Sequence, residues 1–214
     1  MGKSVINSRD HGLINMESRF LVLNWDMLVN MTMDLAIKIR SSGYNPDTVI
    51  AILRGGYIVG KLISDFLGVE DLVVLGLRSY GTRIGGEAEP VVTHPLITNL
   101  NDKVVLIVDD VADTGKTLEK ARDLIRLYGA RDLRVATLFL KPWSKVKPEY
   151  YVEVTDKWIV FPWEVGEVIR ELSKGGRDTD TVINELRLVN YYSGEFISKL
   201  RNLLSLENRG VTHS

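Results

Sequence analysis

Three carboxylates stand beside one glycine in the segment Leu106-Ile107-Val108-Asp109-Asp110-Val111-Ala112-Asp113-Thr114-Gly115-Lys116-Thr117-Leu118. Adjacent Asp109 and Asp110 can accept hydrogen bonds from two neighbouring hydroxyls of a sugar, a geometry that suits ribose. From Asp113 to Thr117 the chain opens a helix, where successive backbone N–H groups, the helix dipole and the threonine hydroxyls can wrap an anion such as a terminal phosphate. The G-x-x-x-x-G-K-[ST] loop of nucleoside triphosphatases is not met, because no glycine stands at or near Val111. Taken piecewise, the same residues also serve a plain strand and capped helix, with Asp113 or Thr114 as N-cap and the other acids solvated.

Such a loop needs a buried strand before it and a helix after it, and the flanking patterns supply both. Val104 to Val108 is β-branched and apolar, and Thr117 to Tyr128 has helical spacing and ends at Gly129. The arrangement repeats earlier: Thr48 to Leu53 is short and almost wholly apolar, then Arg54-Gly55-Gly56 leads into an apolar-periodic stretch through Leu67. Before it, Leu28, Met31, Leu35 and Ile39 recur at helical spacing from Trp25 onward. Leu72 to Leu77 and Arg134 to Leu140 supply further strands, with Lys157 to Phe161 as an edge piece. Strands alternating with helices predict an α/β fold with a mostly parallel twisted sheet flanked by helices and ligands at the strands' carboxyl ends. After Pro162 the stretches Val165 to Leu172, Val182 to Leu188 and Tyr191 to Leu204 read as helices. The expected division is a loose leader over 1–20, a core with a base-binding segment over 21–163 and a helical C-terminal extension over 164–214.

Two acids followed by acid-Thr-Gly-Lys-Thr after a buried strand resemble the phosphoribosyl-pyrophosphate signature of type I phosphoribosyltransferases, and the likeness extends from about Trp25 to Trp163. The resemblance implies that fold, magnesium as cofactor, and transfer of a phosphoribosyl group to a base with release of pyrophosphate. In the purine branch the acids matching Asp109 and Asp110 hold ribose hydroxyls and magnesium. The residue matching Asp113 manages the proton at N7 of the base, and the loop through Ala112, Asp113, Thr114, Gly115, Lys116 and Thr117 holds the 5′-phosphate. Leu53-Arg54-Gly55-Gly56 resembles the pyrophosphate loop, whose glycine pair lets backbone amides approach the leaving group. Arg78-Ser79-Tyr80-Gly81 through Glu89 resembles the mobile catalytic loop, in which the pair matching Ser79 and Tyr80 closes over the reacting centre. Base recognition falls to the positions of Lys141, Trp158 and Ile159, which look like those of bacterial xanthine-guanine enzymes. Glu164 and Arg170 stand where human-type hypoxanthine-guanine enzymes keep an acid for magnesium and an arginine for pyrophosphate.

The 214 residues carry a formal net charge of -1, so no general attraction to nucleic acid is expected and phosphate binding must come from local constellations. No cysteine is present and only three histidines, which disfavours disulfides and zinc. No apolar run approaches the roughly 20 residues of a membrane span, so a soluble cytoplasmic protein without membrane partners is expected. The absence of glutamine alongside cysteine hints at a hot-living source. Two substrate readings remain. Lys141 suits a 6-oxo group, since an ammonium donates and cannot accept; the helical extension looks like an archaeal branch that takes adenine, and being the larger departure it tips the reading to adenine, with hypoxanthine, guanine or xanthine as the alternative. A sensor of phosphoribosyl pyrophosphate on the same fold is the more distant alternative, and the resemblance implies a homodimer.

Overall fold

Short β-branched runs become strands and the amphipathic runs between them become helices. In chain order these are β1 (Phe20–Val22), α1 (Trp25–Ser41), β2 (Thr48–Leu53), α2 (Gly55–Leu67), β3 (Asp71–Ser79), β4 (Pro90–His94), β5 (Val104–Ala112), α3 (Lys116–Leu127), β6 (Asp132–Leu140), β7 (Tyr150–Val154), β8 (Trp158–Val160), α4 (Val165–Ser173), α5 (Thr179–Glu185), a 3₁₀ turn over Leu188–Asn190, and α6 (Gly194–Gly210). The computed structural model describes residues 19–79 and 89–210. No helix among them is long and apolar enough to cross a membrane.

Val29–Asp156 forms one unit. Its six-stranded sheet has the order β4-β3-β2-β5-β6-β7, parallel throughout except for the antiparallel β3–β4 edge. Strand alternation divides the labour between the two faces. Ile50, Ile52, Val105 and Ile107 pack with Leu118, Ala121 and Ile125 of α3, whereas Ala51 and Val108 lie against Gly60 of α2. A Cβ on Gly60 would come within 2.6 Å of the Ala51 Cβ, so the absent side chain sets how closely helix and strand approach. On α3, both carboxylate oxygens of Glu149 take hydrogen bonds from Arg122 Nη2 at 2.7 Å, and Oε2 takes a third from the Val135 N–H at 2.8 Å. These bonds tie the helix behind the acidic loop to the start of the neighbouring strands.

The second unit gathers residues 19–28 with 157–210. Here β1 and β8 form a two-stranded parallel ribbon, Phe20 opposite Trp158 and Val22 opposite Val160. Val22, Val160, Val165, Ile169, Val182, Leu188, Ile197 and Leu200 make its core, and the Tyr192 hydroxyl donates to the Leu23 carbonyl at 2.7 Å. The unit therefore begins earlier than the expected extension at 164. The segment 157–161, expected as an edge of the main sheet, pairs instead with β1, because burying Val22 and Val160 among the helices satisfies both short strands at once. The Val182–Leu188 helix ends at Glu185, where the chain turns through Arg187 in the left-handed region, φ 50°, before the 3₁₀ turn.

Candidate active site

The parallel strands β2, β5 and β6 all deliver their carboxyl ends to the same edge of the sheet, and the chemistry-bearing residues of the Val29–Asp156 unit collect there. Asp109 ends a run of fully buried residues and is itself 9% exposed. Its Oδ1 accepts the Asp110 N–H at 3.0 Å, and Asp110 Oδ1 accepts the Val111 N–H at 2.8 Å. Burial raises the pKa of both carboxyls, and the neighbouring Asp110 raises that of Asp109 further.

The Arg54-Gly55-Gly56 turn lies directly on this pair. A Cβ on Gly55 would fall 1.7 Å from Asp110 Oδ2, and one on Gly56 would fall 2.7 Å from the Val108 carbonyl oxygen and 2.8 Å from Asp109 Oδ1. The two glycines are what allow the turn to sit against the acids. The Leu53–Arg54 peptide is cis.

Beyond the acids, Asp109, Ala112, Asp113, Thr114, Gly115, Lys116 and Thr117 line one cavity of about 520 Å³ together with Trp143 and Lys145. Gly115 has φ 87°, and the first N–H of α3 satisfied inside the helix is that of Glu119, donating to the Gly115 carbonyl at 3.0 Å. Ahead of it the Lys116 N–H donates to Thr114 Oγ1 at 3.4 Å, and a helix start of this kind is where backbone amides can turn to an anion. Lys116 Nζ reaches Glu89 Oε1 at 3.3 Å, joining the cup to the residue just before β4.

Trp143 and Lys145 were not singled out in the sequence. They come from the loop after β6, and that loop closes one wall of the cup: the Lys145 N–H donates to the Thr114 carbonyl at 3.1 Å, and Val146 N lies 2.6 Å from where a Gly115 Cβ would be. The Trp143 indole N–H donates to Asp113 Oδ1 at 2.9 Å, which fixes the carboxylate. Lys141 is 8% exposed and sets its ammonium 5.4 Å from the centre of the Trp143 ring. Burial lowers the pKa of Lys141, with Asp113 and Asp156 acting in the opposite direction. The only sequence signal for this wall was its position after a parallel strand, next to Lys141.

Trp158 and Ile159 belong to the second unit, where the Trp158 indole is half exposed and Ile159 is buried. Glu164 takes the Phe161 N–H on Oε1 at 3.2 Å, and Arg170 makes two hydrogen bonds to the Glu207 carboxylate at 2.8 and 2.7 Å. Ser79 ends β3. Tyr80 lies outside the described residues. No cluster of three or more metal-binding side chains occurs among the described residues.

Comparison with known proteins adds to this geometry. The chain matches the family model described as phosphoribosyl transferase domain over residues 22–170. A xanthine-guanine phosphoribosyltransferase of Cereibacter sphaeroides is 31% identical over 153 residues, which cover 67% of this chain and 86% of the relative. The crystal structure of a purine phosphoribosyltransferase from Pyrococcus horikoshii superposes with a TM-score of 0.61 at 41% identity, covering 68% of this chain and 94% of that one. A Neisseria gonorrhoeae protein crystallised with bound ppGpp superposes at 0.60 with 26% identity, covering 75% and 98%. With its acidic pair, the cavity at the start of α3 and the glycine turn at one sheet edge, the chain belongs to the phosphoribosyl transferase domain family, in its purine branch.

Proposed function

We propose that this purine phosphoribosyltransferase acts on a 6-oxopurine, xanthine, guanine or hypoxanthine, in nucleotide salvage. The observation that carries the reading is the continuity of acidic pair, phosphate cup and glycine turn, an arrangement that matches the ribose, the 5′-phosphate and the pyrophosphate of one substrate. The choice of base moves away from adenine. Buried Lys141 offers a donor to an exocyclic oxygen, which an adenine amino group could not accept. The Cereibacter relative is named for xanthine and guanine, and the Neisseria protein holds a guanine nucleotide.

In this reading N9 of the base bonds to C1′ as the bond from C1′ to the pyrophosphate oxygen breaks, and Asp113 takes the proton leaving N7. The Trp143 N–H holds Asp113 in place for that transfer. The cup from Ala112 to Thr117 holds the 5′-phosphate, Asp109 and Asp110 hold the ribose hydroxyls, and Arg54, Gly55 and Gly56 hold pyrophosphate. The family resemblance assigns base stacking to Trp158, backbone hydrogen bonds to the base to Ile159, and cover of the reacting centre to Ser79 and Tyr80.

A magnesium ion fits the donors of β5, because a divalent cation reverses the cost of two buried adjacent carboxylates and is commonly held by one or two carboxylates together with substrate oxygens. When bound it neutralises charge on the pyrophosphate. Glu164 takes the Phe161 N–H on Oε1 and Arg170 pairs with Glu207 through Nε and Nη2, so a metal or pyrophosphate role for them would draw on the second carboxylate oxygen and on Nη1. Cytoplasmic placement and a homodimer complete the reading; Val29, Met33 and Ile37, exposed at successive i+4 positions of α1, offer an apolar stripe for the second copy.

Pyrophosphate release measured side by side with xanthine, guanine, hypoxanthine, adenine and uracil tests the proposal. Turnover is expected with the 6-oxopurines. Adenine as the best base would overturn the choice of substrate, and no turnover with any purine would favour the sensor alternative.

A further inference from the structure

On the other side of the glycine turn from the phosphate cup, Leu53, Arg54, Leu77, Arg78, Thr93 and His94 line a second cavity of about 370 Å³. Among the described residues its polar lining is two arginines, an imidazole and a hydroxyl. Strand order puts the features in sequence across the sheet: the cup at β5 and β6, the glycine turn at the end of β2, and this cavity at β2, β3 and β4. We infer that Thr93 and His94, on the antiparallel edge strand, form with Arg54 and Arg78 a subsite for the distal phosphate of the pyrophosphate group. This rests on the functional reading above and extends it to residues that no motif marks.

The backbone is shaped for these two side chains. His94 lies opposite Gly76, and the β3–β4 register shifts between Gly76 and Leu77. Bulges of this kind commonly re-aim side chains beside active sites. A Cβ at Gly76 would fall 2.5 Å from His94 Nδ1 and 2.6 Å from Thr93 Oγ1, so the glycine makes the room that imidazole and hydroxyl occupy. The two are in hydrogen-bond contact at 3.2 Å, which couples their orientations. An imidazole N–H and a hydroxyl donate well to phosphate oxygens, and beside two guanidinium groups they suit a dianionic terminal phosphate.

The test uses the full-length enzyme with magnesium and two variants, His94→Ala and Gly76→Ala, the second displacing the imidazole without removing it. Calorimetric titration with inorganic pyrophosphate should show binding weakened by roughly three- to tenfold in both variants. The KM for phosphoribosyl pyrophosphate should rise in parallel. Affinity for the nucleoside monophosphate product, which carries only the 5′-phosphate, should be unchanged. His94→Asn, which keeps a donor, should recover part of the loss. Unchanged pyrophosphate affinity overturns the subsite, and so does an equal loss of monophosphate affinity, which would report distortion of the unit. If the wild type binds pyrophosphate His94-dependently yet turns over no purine, the subsite stands and the catalytic reading fails.

Discussion

Asp113 is held by an indole N–H and lines the same cavity as Thr114 to Thr117, so its replacement separates the proposed proton transfer from the proposed phosphate binding. Asp113→Asn retains an oxygen for Trp143 and loses the basic site; kcat should fall by about 10²-fold or more while affinity for phosphoribosyl pyrophosphate is kept. Steady-state kinetics beside a binding titration checks this, and unaltered turnover would remove the proposed role. Asp109 and Asp110 make a different prediction. Their folded pKa values are raised by burial, so the native protein retains protons that the unfolded chain gives up. Their contribution is fully present below the ordinary carboxylate range and is lost as pH rises through the folded values. The melting temperature of the metal-free protein should therefore decline with rising pH from about pH 4 upward. Asp110→Asn should flatten that decline and melt higher than the wild type at neutral pH, while losing activity; parallel melting curves across pH would refute the account.

At the scale of elements, the glycine turn before α2 depends on close approach. Gly55 meets only the Asp110 carboxylate, whereas a Cβ on Gly56 meets the backbone at Val108 and Asp109, which cannot swing aside. Gly56→Ala should cost about 1–3 kcal/mol in urea unfolding and weaken pyrophosphate binding. This turn, the β5 acids and the cup were legible in the sequence because each is contiguous: a buried strand, a polar loop and an amphipathic helix follow one another within a few residues. β2 spans Thr48–Leu53 and α4 starts at Val165, both as their apolar patterns predicted, and α1, α3 and β6 agree to within two residues. The elements missed were β1, β4 and β7, which are three to five residues long and carry exposed or polar positions such as Thr93, His94 and Glu153. Their strand character comes from partners far away in the chain. Trp143 and Lys145 escaped for the same reason, since their role follows from a neighbouring strand bringing them to Asp113 and Thr114, and nothing in their own spacing announces it.

The whole molecule combines a sheet-based unit carrying the acids and the cup with a helical unit holding its own core. Leu188 is fully buried in that second core, just after the left-handed turn at Arg187. Leu188→Ala should cost about 2–5 kcal/mol, read by scanning calorimetry as a lower transition temperature; an unshifted transition would mean that the helices contribute little to folding stability. The pairing of β1 with β8 also fixes a timetable. Phe20 finds its partner only at Trp158, roughly 140 positions later in the chain. At about 5–20 residues per second, a ribosome delivers that partner something like 7–28 seconds after the first strand. Through this interval the nascent chain has time to assemble the sheet while β1 waits unpaired, and the helical unit is completed after the sheet.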